Sequence, residues 1–371
     1  MNNRLATRLG LILVAASAAA ASAAAKPSIG DYVDKPDAWF ASDEGHKIVA
    51  NVVSWQNANG GWWKAYDPTA PRTAEAEKVG ETDWRTAIPG DDAGTWHKTS
   101  TIDNKATYSE LRVLARANRV DPKPETAAAF EKGMAFLFKA QYPDNGGWPQ
   151  RYPLMDNYGR YITYNDDAMV GVMRLMREVA DGKGDFAWVS KENRDAAGAA
   201  FDKGIECFLI TQVKIDGKLT AWCQQHNEKT LAPAKARAYE LPSLCTTESA
   251  SILRLMMEIE KPSDRVKAAI EAGVAWFDAV KITGLKIETR TGPEYEGGRE
   301  KFEVQDPSAP PIWGRFYDLE TGKHYVCDRD GVKKASIAEI GHERRVGYAW
   351  YGNGGTKVAE AYKKWKAKQG A

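Results

Sequence analysis

Three stretches of the chain repeat one pattern: an apolar run, a glutamine, a short gap, a glycine turn and a tryptophan. They are VVSWQNANGGWW (52–63), FLFKAQYPDNGGWPQRYP (136–153) and CFLITQVKIDGKLTAWCQQ (207–225). A fourth, AWFDAVKITGLKIET (275–289), keeps the apolar run and the glycine but lacks the glutamine. Self-similarity at a long period marks a supersecondary unit that cannot bury its apolar face alone and does so by stacking on its neighbours. Each copy reads as a helix ending in a turn at one rim.

A second set of stretches lies between these. DNKATYSELRVLARA (103–117), NDDAMVGVMRLMREVA (165–180) and TTESASILRLMMEIE (246–260) open polar, then place Leu, Met, Val and Ile at three- and four-residue spacing, the pattern of amphipathic helices. Aligning Ala106 with Ala168 brings Leu111 onto Met173, Arg112 onto Arg174, Asn104 onto Asp166 and Asp103 onto Asn165. The predicted class is all-α: an (α/α) toroid or barrel of about three helix pairs over 101–371, with N-terminal short helices and a few short strands in long loops. Residues 26–100 form an N-terminal extension packed on the barrel, with 64–99 a long loop rich in Pro, Gly, Asp and Thr. Residues 286–330 read as a second irregular excursion, with strand signals in 284–290 and 322–327. In such a toroid all inner helices start at the same end. The polar openings at 103–104, 165–167 and 246–248 then converge on one mouth.

The first 25 residues read as a secretory signal, with Arg4 and Arg8 before an apolar core and a small-residue run that predicts cleavage after Ala23 or Ala25. Export to the periplasm or the medium is expected. The core is short and Ala-rich for a membrane span, and no later stretch is apolar enough, so the mature form is expected off the membrane. The chain has 51 basic and 50 acidic residues, and removing the signal leaves it near neutral. That argues against nucleic-acid binding, which needs a basic footprint. The spacing of Cys207, Cys223, Cys245 and Cys327 suggests no zinc site. A Cys207–Cys223 disulfide and buried free thiols stand as alternatives.

Asp103, Asn104, Asp166 and Asp167 group oxygen donors at the inferred mouth. Hard oxygens suit calcium, with substrate or water completing the shell; the alternative is that these acids only cap helices. KTLAPAKARAYELPSL (229–244) carries Lys235 and Arg237 just before the third polar opening, as a cationic lip or a solvated loop. In PPIWGRFYDLETGKHYVCDRDG (310–331), aromatic neighbours flank Arg315 and restrict a guanidinium fork suited to carboxylate. The five histidines are scattered, and no nucleophile elbow, Walker loop or dinucleotide fingerprint is present.

STIDNKAT, YITYNDDAM, KARAYELPSL and IWGRFYDLETGK, in that order, resemble the family 10 polysaccharide lyases, which are pectate lyases; the resemblance covers about residues 45–355. It implies a three-pair (α/α) toroid and cleavage of polygalacturonate by calcium-dependent anti β-elimination. It also implies roles. Asp103 and Asn104 lie in the substrate and calcium cleft, Asp166 or Asp167 carries the calcium carboxylate, and Arg237 is the Brønsted base. Arg315 clamps a substrate carboxylate, with Arg299 as second clamp and Arg290 as its rival. Lys235 is expected to bind substrate from its place on the cationic lip, not from the resemblance. The expected partner is a polygalacturonate or pectate oligosaccharide, bound by a monomer. Two other readings fit a helical toroid: a glycoside hydrolase, and a non-catalytic uronate-binding protein.

Overall fold

The computed structural model describes residues 27–64, 66–73 and 99–370. The signal expected at 1–25 and most of the loop expected over 64–99 lie outside the described residues.

Eight helices organise the fold: α1 (Asp43–Ser54), α2 (Tyr108–Val120), α3 (Pro124–Ala140), α4 (Ala168–Asp181), α5 (Lys191–Thr211), α6 (Thr246–Met257), α7 (Asp264–Ala279) and α8 (Gly354–Gln369). α2 pairs with α3, α4 with α5 and α6 with α7. Along the chain, α2, α4 and α6 pack on one another in turn, as do α3, α5 and α7. This is the arrangement of an (α/α) toroid of three pairs, with α1 against the first pair and α8 against the third. The inner helices are apolar around most of their girth. In α4, Met169, Val170, Val172, Met173, Leu175, Met176 and Val179 are all buried. Burying each such side chain stabilises the fold by roughly 1.5–3 kcal/mol. Gly182 ends α4 in the left-handed conformation, its N–H bonded to the Val179 carbonyl.

The repeated glutamine and tryptophan have definite tasks. Gln56, Gln141 and Gln212 follow α1, α3 and α5. Each Nε2 donates once within its own turn, to the carbonyls of Gly60, Gly146 and Thr220. It donates again across to the next outer helix, to the carbonyls of Ala129, Ala200 and Ala269. The indoles of Trp62, Trp148 and Trp222, all fully buried, donate back to Val52, Leu137 and Phe208 at the end of the helix just left. The fourth copy keeps this last bond through Trp313, whose indole donates to Phe277. The turn glycines sit where the next helix comes close. A Cβ on Gly60 or Gly146 would lie 2.3 or 2.2 Å from the carbonyl oxygen of Lys132 or Lys203.

The strands are short. β1 (Leu244–Cys245), β4 (Phe316–Tyr317), β5 (His324–Cys327) and β6 (Lys333–Lys334) form one antiparallel sheet in the order β6-β5-β4-β1. β2 (Leu285–Thr291) and β3 (Arg299–Gln305) form a seven-residue hairpin. The excursion over 286–330 is therefore more regular than its sequence suggested: the signals at 284–290 and 322–327 are strands, and β3 was hidden because charged residues interrupt its alternation. A second apolar cluster, with Cys223, Tyr239, Cys245, Phe316, Tyr325 and Tyr348 among its members, underlies the sheet.

All four cysteines are buried and free. Cys207 faces the Tyr164 hydroxyl in the main core, whereas Cys223 belongs to the second cluster. The Cys207–Cys223 disulfide is therefore not formed; the two thiols serve different cores. Among the described residues no helix is long and apolar enough to cross a membrane.

Candidate active site

Two 3-10 turns, Asp103–Lys105 and Asn165–Asp167, stand immediately before α2 and α4 and touch each other. The repeat alignment holds down to backbone angles: Asn104 has φ 50° and ψ 38°, and Asp166 has φ 51° and ψ 35°. Lys105, Thr107 and Asp167 also have positive φ, at 69°, 67° and 60°. Such conformations are costly for residues with a Cβ, least so for Asn and Asp, and they collect at functional sites. Here they are held from behind. The Gln224 carbonyl takes the N–H groups of Tyr164 and Asn165, and Thr107 Oγ1 donates to the Thr101 carbonyl at 2.8 Å.

The acids do not act as caps. Asp167 occupies the N-cap position of α4 without a side-chain capping bond, and its Oδ1 is buried with no partner among the described residues. Asp103 is 4% exposed. Its Oδ2 pairs with Lys64 Nζ, while its Oδ1 is buried without a partner among the described residues. Burial, and then the charge of Asp103, push the Asp166 carboxyl above the usual range, against the pull of Arg315 and Arg237. The donors are oxygens, two of them orphaned, in a region of repelling carboxylates, and that chemistry fits a hard cation such as calcium. Among the described residues no three His, Cys, Asp or Glu side chains already converge on one point, so a bound ion would need oxygens from a ligand or water as well.

Arg315 stands immediately before β4, between its aromatic neighbours, but the ring that faces it most closely is Tyr348, 4.7 Å from the guanidinium, with Phe316 at 5.6 Å. Trp313 turns into the core instead. Arg315 Nη2 donates to Glu248 Oε1 at 2.9 Å and to Asn165 Oδ1 at 3.2 Å, and lies 4.0 Å from Asp166 Oδ1. Its Nε is buried and unpaired among the described residues. Glu248, in the polar opening of α6, is fully buried; burial pushes its carboxyl up although Arg315 opposes this.

Arg237 sits 4.9 Å over Tyr239 and 6.0 Å over Tyr348. Its Nε donates to Glu240 Oε2 at 2.7 Å and its Nη2 to Glu240 Oε1, which also accepts from the Tyr348 hydroxyl at 2.9 Å. Nη1 has no protein partner among the described residues, and the side chain is 44% exposed. Burial acts to lower the Arg237 pKa, but the bonds and charge of Glu240 outweigh it and hold the guanidinium above its ordinary value. Arg344 stacks on the same Tyr239 at 4.5 Å, so two tyrosines separate three arginines.

The structure therefore brings Asp103, Asp166, Asp167, Arg237 and Arg315 to one mouth. Asn104 is exposed beside them. Lys235 is exposed on the side of Cys327. Arg299 is exposed at the start of β3, paired in register with Thr291, its carbonyl accepting from His342. Arg290 is bonded to Glu288 and stacked on Phe302 at 4.6 Å. Neither hairpin arginine shares a bond with the cluster. Lys64, Glu240 and Tyr348 were not anticipated at the site, and of these Glu240 carried a local signal, three residues after Arg237; Asn165 and Glu248 lie in the polar openings expected at the mouth, but not as partners of Arg315. The buried histidines are structural. His226 Nδ1 lies 2.8 Å from the Leu231 carbonyl, and burial lowers both His226 and His324 to about 4.

The family model for pectic acid lyase matches residues 56–359. A family 10 polysaccharide lyase from Cellvibrio cellulosa has a similar structure, with a TM-score of 0.70, 30% identity, and coverage of 91% of this chain and 96% of that one. A mutant of a family 10 polysaccharide lyase from Cellvibrio cellulosa, solved in complex with trigalacturonic acid, matches with a TM-score of 0.70 and 30% identity over 92% of this chain and 99% of that one. No curated protein matches.

Proposed function

The chain belongs to the pectic acid lyase family, and from that premise we propose that it is an exported enzyme cleaving polygalacturonate by calcium-dependent anti β-elimination. It is a polysaccharide lyase; the substrate, the ion and the route are the proposal. The observation that carries it is the meeting of carboxylates and guanidinium groups at one mouth, with Arg315 only 4.0 Å from Asp166. Hydrolysis would instead rely on two carboxylates flanking the bond, one of them protonated.

Elimination needs a base for the C5 proton and a sink for the charge that its loss puts on the C6 carboxylate. The Nε of Arg315, an unsatisfied buried donor, gains an acceptor when a uronate carboxylate enters. Asp103, Asp166 and Asp167 would hold calcium, which supplies positive charge against the developing enolate. Arg237 presents Nη1 to the sugar. In its neutral form it takes the C5 proton, the C4–O bond breaks, and the departing oxygen is protonated from water. The product carries a C4–C5 double bond. Because a guanidinium titrates above ~12 and Glu240 holds this one higher still, the rate is expected to climb into the alkaline range.

The test is incubation with polygalacturonate, with and without calcium, read by ultraviolet absorbance of the unsaturated product. New reducing ends without that absorbance would sink the reading in favour of hydrolysis. Binding of oligogalacturonate with no turnover would leave only a uronate-binding protein. For export, the N-terminus of protein recovered from periplasm or medium should begin at Ala24 or Lys26.

A further inference from the structure

We propose that Cys223 and Cys245 are a disulfide-forming pair that closes under oxidising conditions and ties together the ends of the loop bearing Lys235, Arg237 and Glu240. The backbone on both sides of Cys223 is bonded to Cys245. The Cys245 N–H donates to the Trp222 carbonyl at 2.8 Å, and the Gln224 N–H donates to Cys245 Sγ at 3.2 Å. The two residues therefore stand opposite each other, on β1 and on the segment beside it. Both are fully buried and share one apolar cluster with Phe316 and Tyr325. Burial pushes the Cys245 thiol up; at Cys223 burial is outweighed by its neighbours, Cys245 first among them, and the thiol is lowered. Of the other thiols, Cys207 is engaged with Tyr164 in the main core, and Cys327 Sγ bonds the Asp328 carbonyl at 3.3 Å.

The position gives the link a purpose. Cys245 is the residue before α6, which carries Glu248, the partner of Arg315. Cys223 precedes Gln224, whose carbonyl holds the N–H groups of Tyr164 and Asn165. One bond would join the supports of the Asn165–Asp167 turn, of Glu248 and of the cationic loop. It would also remove much of the freedom that the 224–244 segment has before folding.

The oxidant is a small-molecule disulfide. The Cys223 thiolate attacks one of its sulfurs, forming a mixed disulfide and releasing one small thiolate. Cys245, losing its proton, attacks the Cys223 sulfur and releases the second. The two protein thiols lose two electrons and two protons in total, and the small disulfide becomes two thiols. Because both sulfurs are shielded from water, the exchange belongs to folding, and the finished bond resists reductants in the native state.

To test this, the unfolded reduced chain is refolded in a mixture of reduced and oxidised glutathione, alkylated in denaturant, digested and analysed by mass spectrometry. The expected result is alkylation of Cys207 and Cys327 only, a linked peptide joining Cys223 to Cys245, and slower amide exchange over 224–244 than in protein refolded with reductant. Four alkylated cysteines, or a link to Cys207 or Cys327, would overturn the proposal. Cys245→Ser should abolish the link and bring the thermal midpoint of oxidised protein down to the reduced value. Should that variant not fold, the peptide map of the natural chain decides by itself.

Discussion

Glu240 takes two hydrogen bonds from the Arg237 guanidinium, through Nε and Nη2, and a third from its backbone N–H, and leaves Nη1 without a protein partner among the described residues. Glu240 is itself 2% exposed and is held by the Tyr348 hydroxyl. The carboxylate thus aims the guanidinium and also keeps it charged. For a proposed base these effects oppose each other. Glu240→Gln should lower kcat by about 10- to 100-fold, the loss of one charge-assisted bond, while moving the rise of the pH–rate profile to lower pH. Arg237→Ala should cost on the order of 10²–10⁴ in kcat. A Glu240→Gln profile that keeps its position would argue that the proton goes elsewhere.

Arg315 and Glu248 are a buried ion pair, and removing one partner strands the other. Arg315→Ala should destabilise the protein by roughly 3–5 kcal/mol, seen as a lower urea midpoint. Arg315→Lys keeps the charge but loses the planar fork. It is expected to fold and to lose about tenfold or more in kcat/KM on oligogalacturonate. Wild-type kinetics in that variant would remove Arg315 from the carboxylate clamp.

Asp103→Asn and Asp167→Asn each take one negative charge from the mouth while keeping its shape. Each should raise the calcium concentration giving half-maximal rate by about 10- to 100-fold, the size typical of altered metal environments. Calcium titration of initial rates measures this, and chelator should abolish the natural enzyme's activity. Unchanged titrations in both variants would place the ion elsewhere.

Glu110 on α2 is fully buried beside Tyr66, and burial pushes its carboxyl up to about 8. The folded state therefore keeps a proton that the unfolded chain, with an ordinary carboxyl, gives up. Below the unfolded pKa both states are protonated and stability is unaffected. Between that value and about 8 the unfolded state gains, and stability falls as pH rises; above it the penalty is constant. Glu110→Gln should raise the thermal midpoint at pH 9 by an amount worth several kcal/mol and change little at pH 4. Equal shifts at both pH values would exclude Glu110 titration as the cause.

Much of the scaffold was legible. The helix pairs follow from apolar spacing, and matching Asn104 to Asp166 anticipated two residues with nearly the same backbone angles. The repeat itself marked Gln56, Gln141 and Gln212 as important. Their partners could not be read, because each lies in a different helix: Gln56 and Ala129 are 73 residues apart, and Gln141 and Ala200 are 59 apart.

The sequence by itself determined the helical periods, the glycine turns and which polar segments open the inner helices, because these depend on spacing within one stretch of chain. Only the tertiary structure decided which charges meet there. Arg315 reaches Glu248 across 67 residues and Asn165 across 150, and Tyr348 reaches Glu240 across 108. An arginine's role depends on which acceptors surround it and how dry they are, and burial and proximity exist only once the helices have packed.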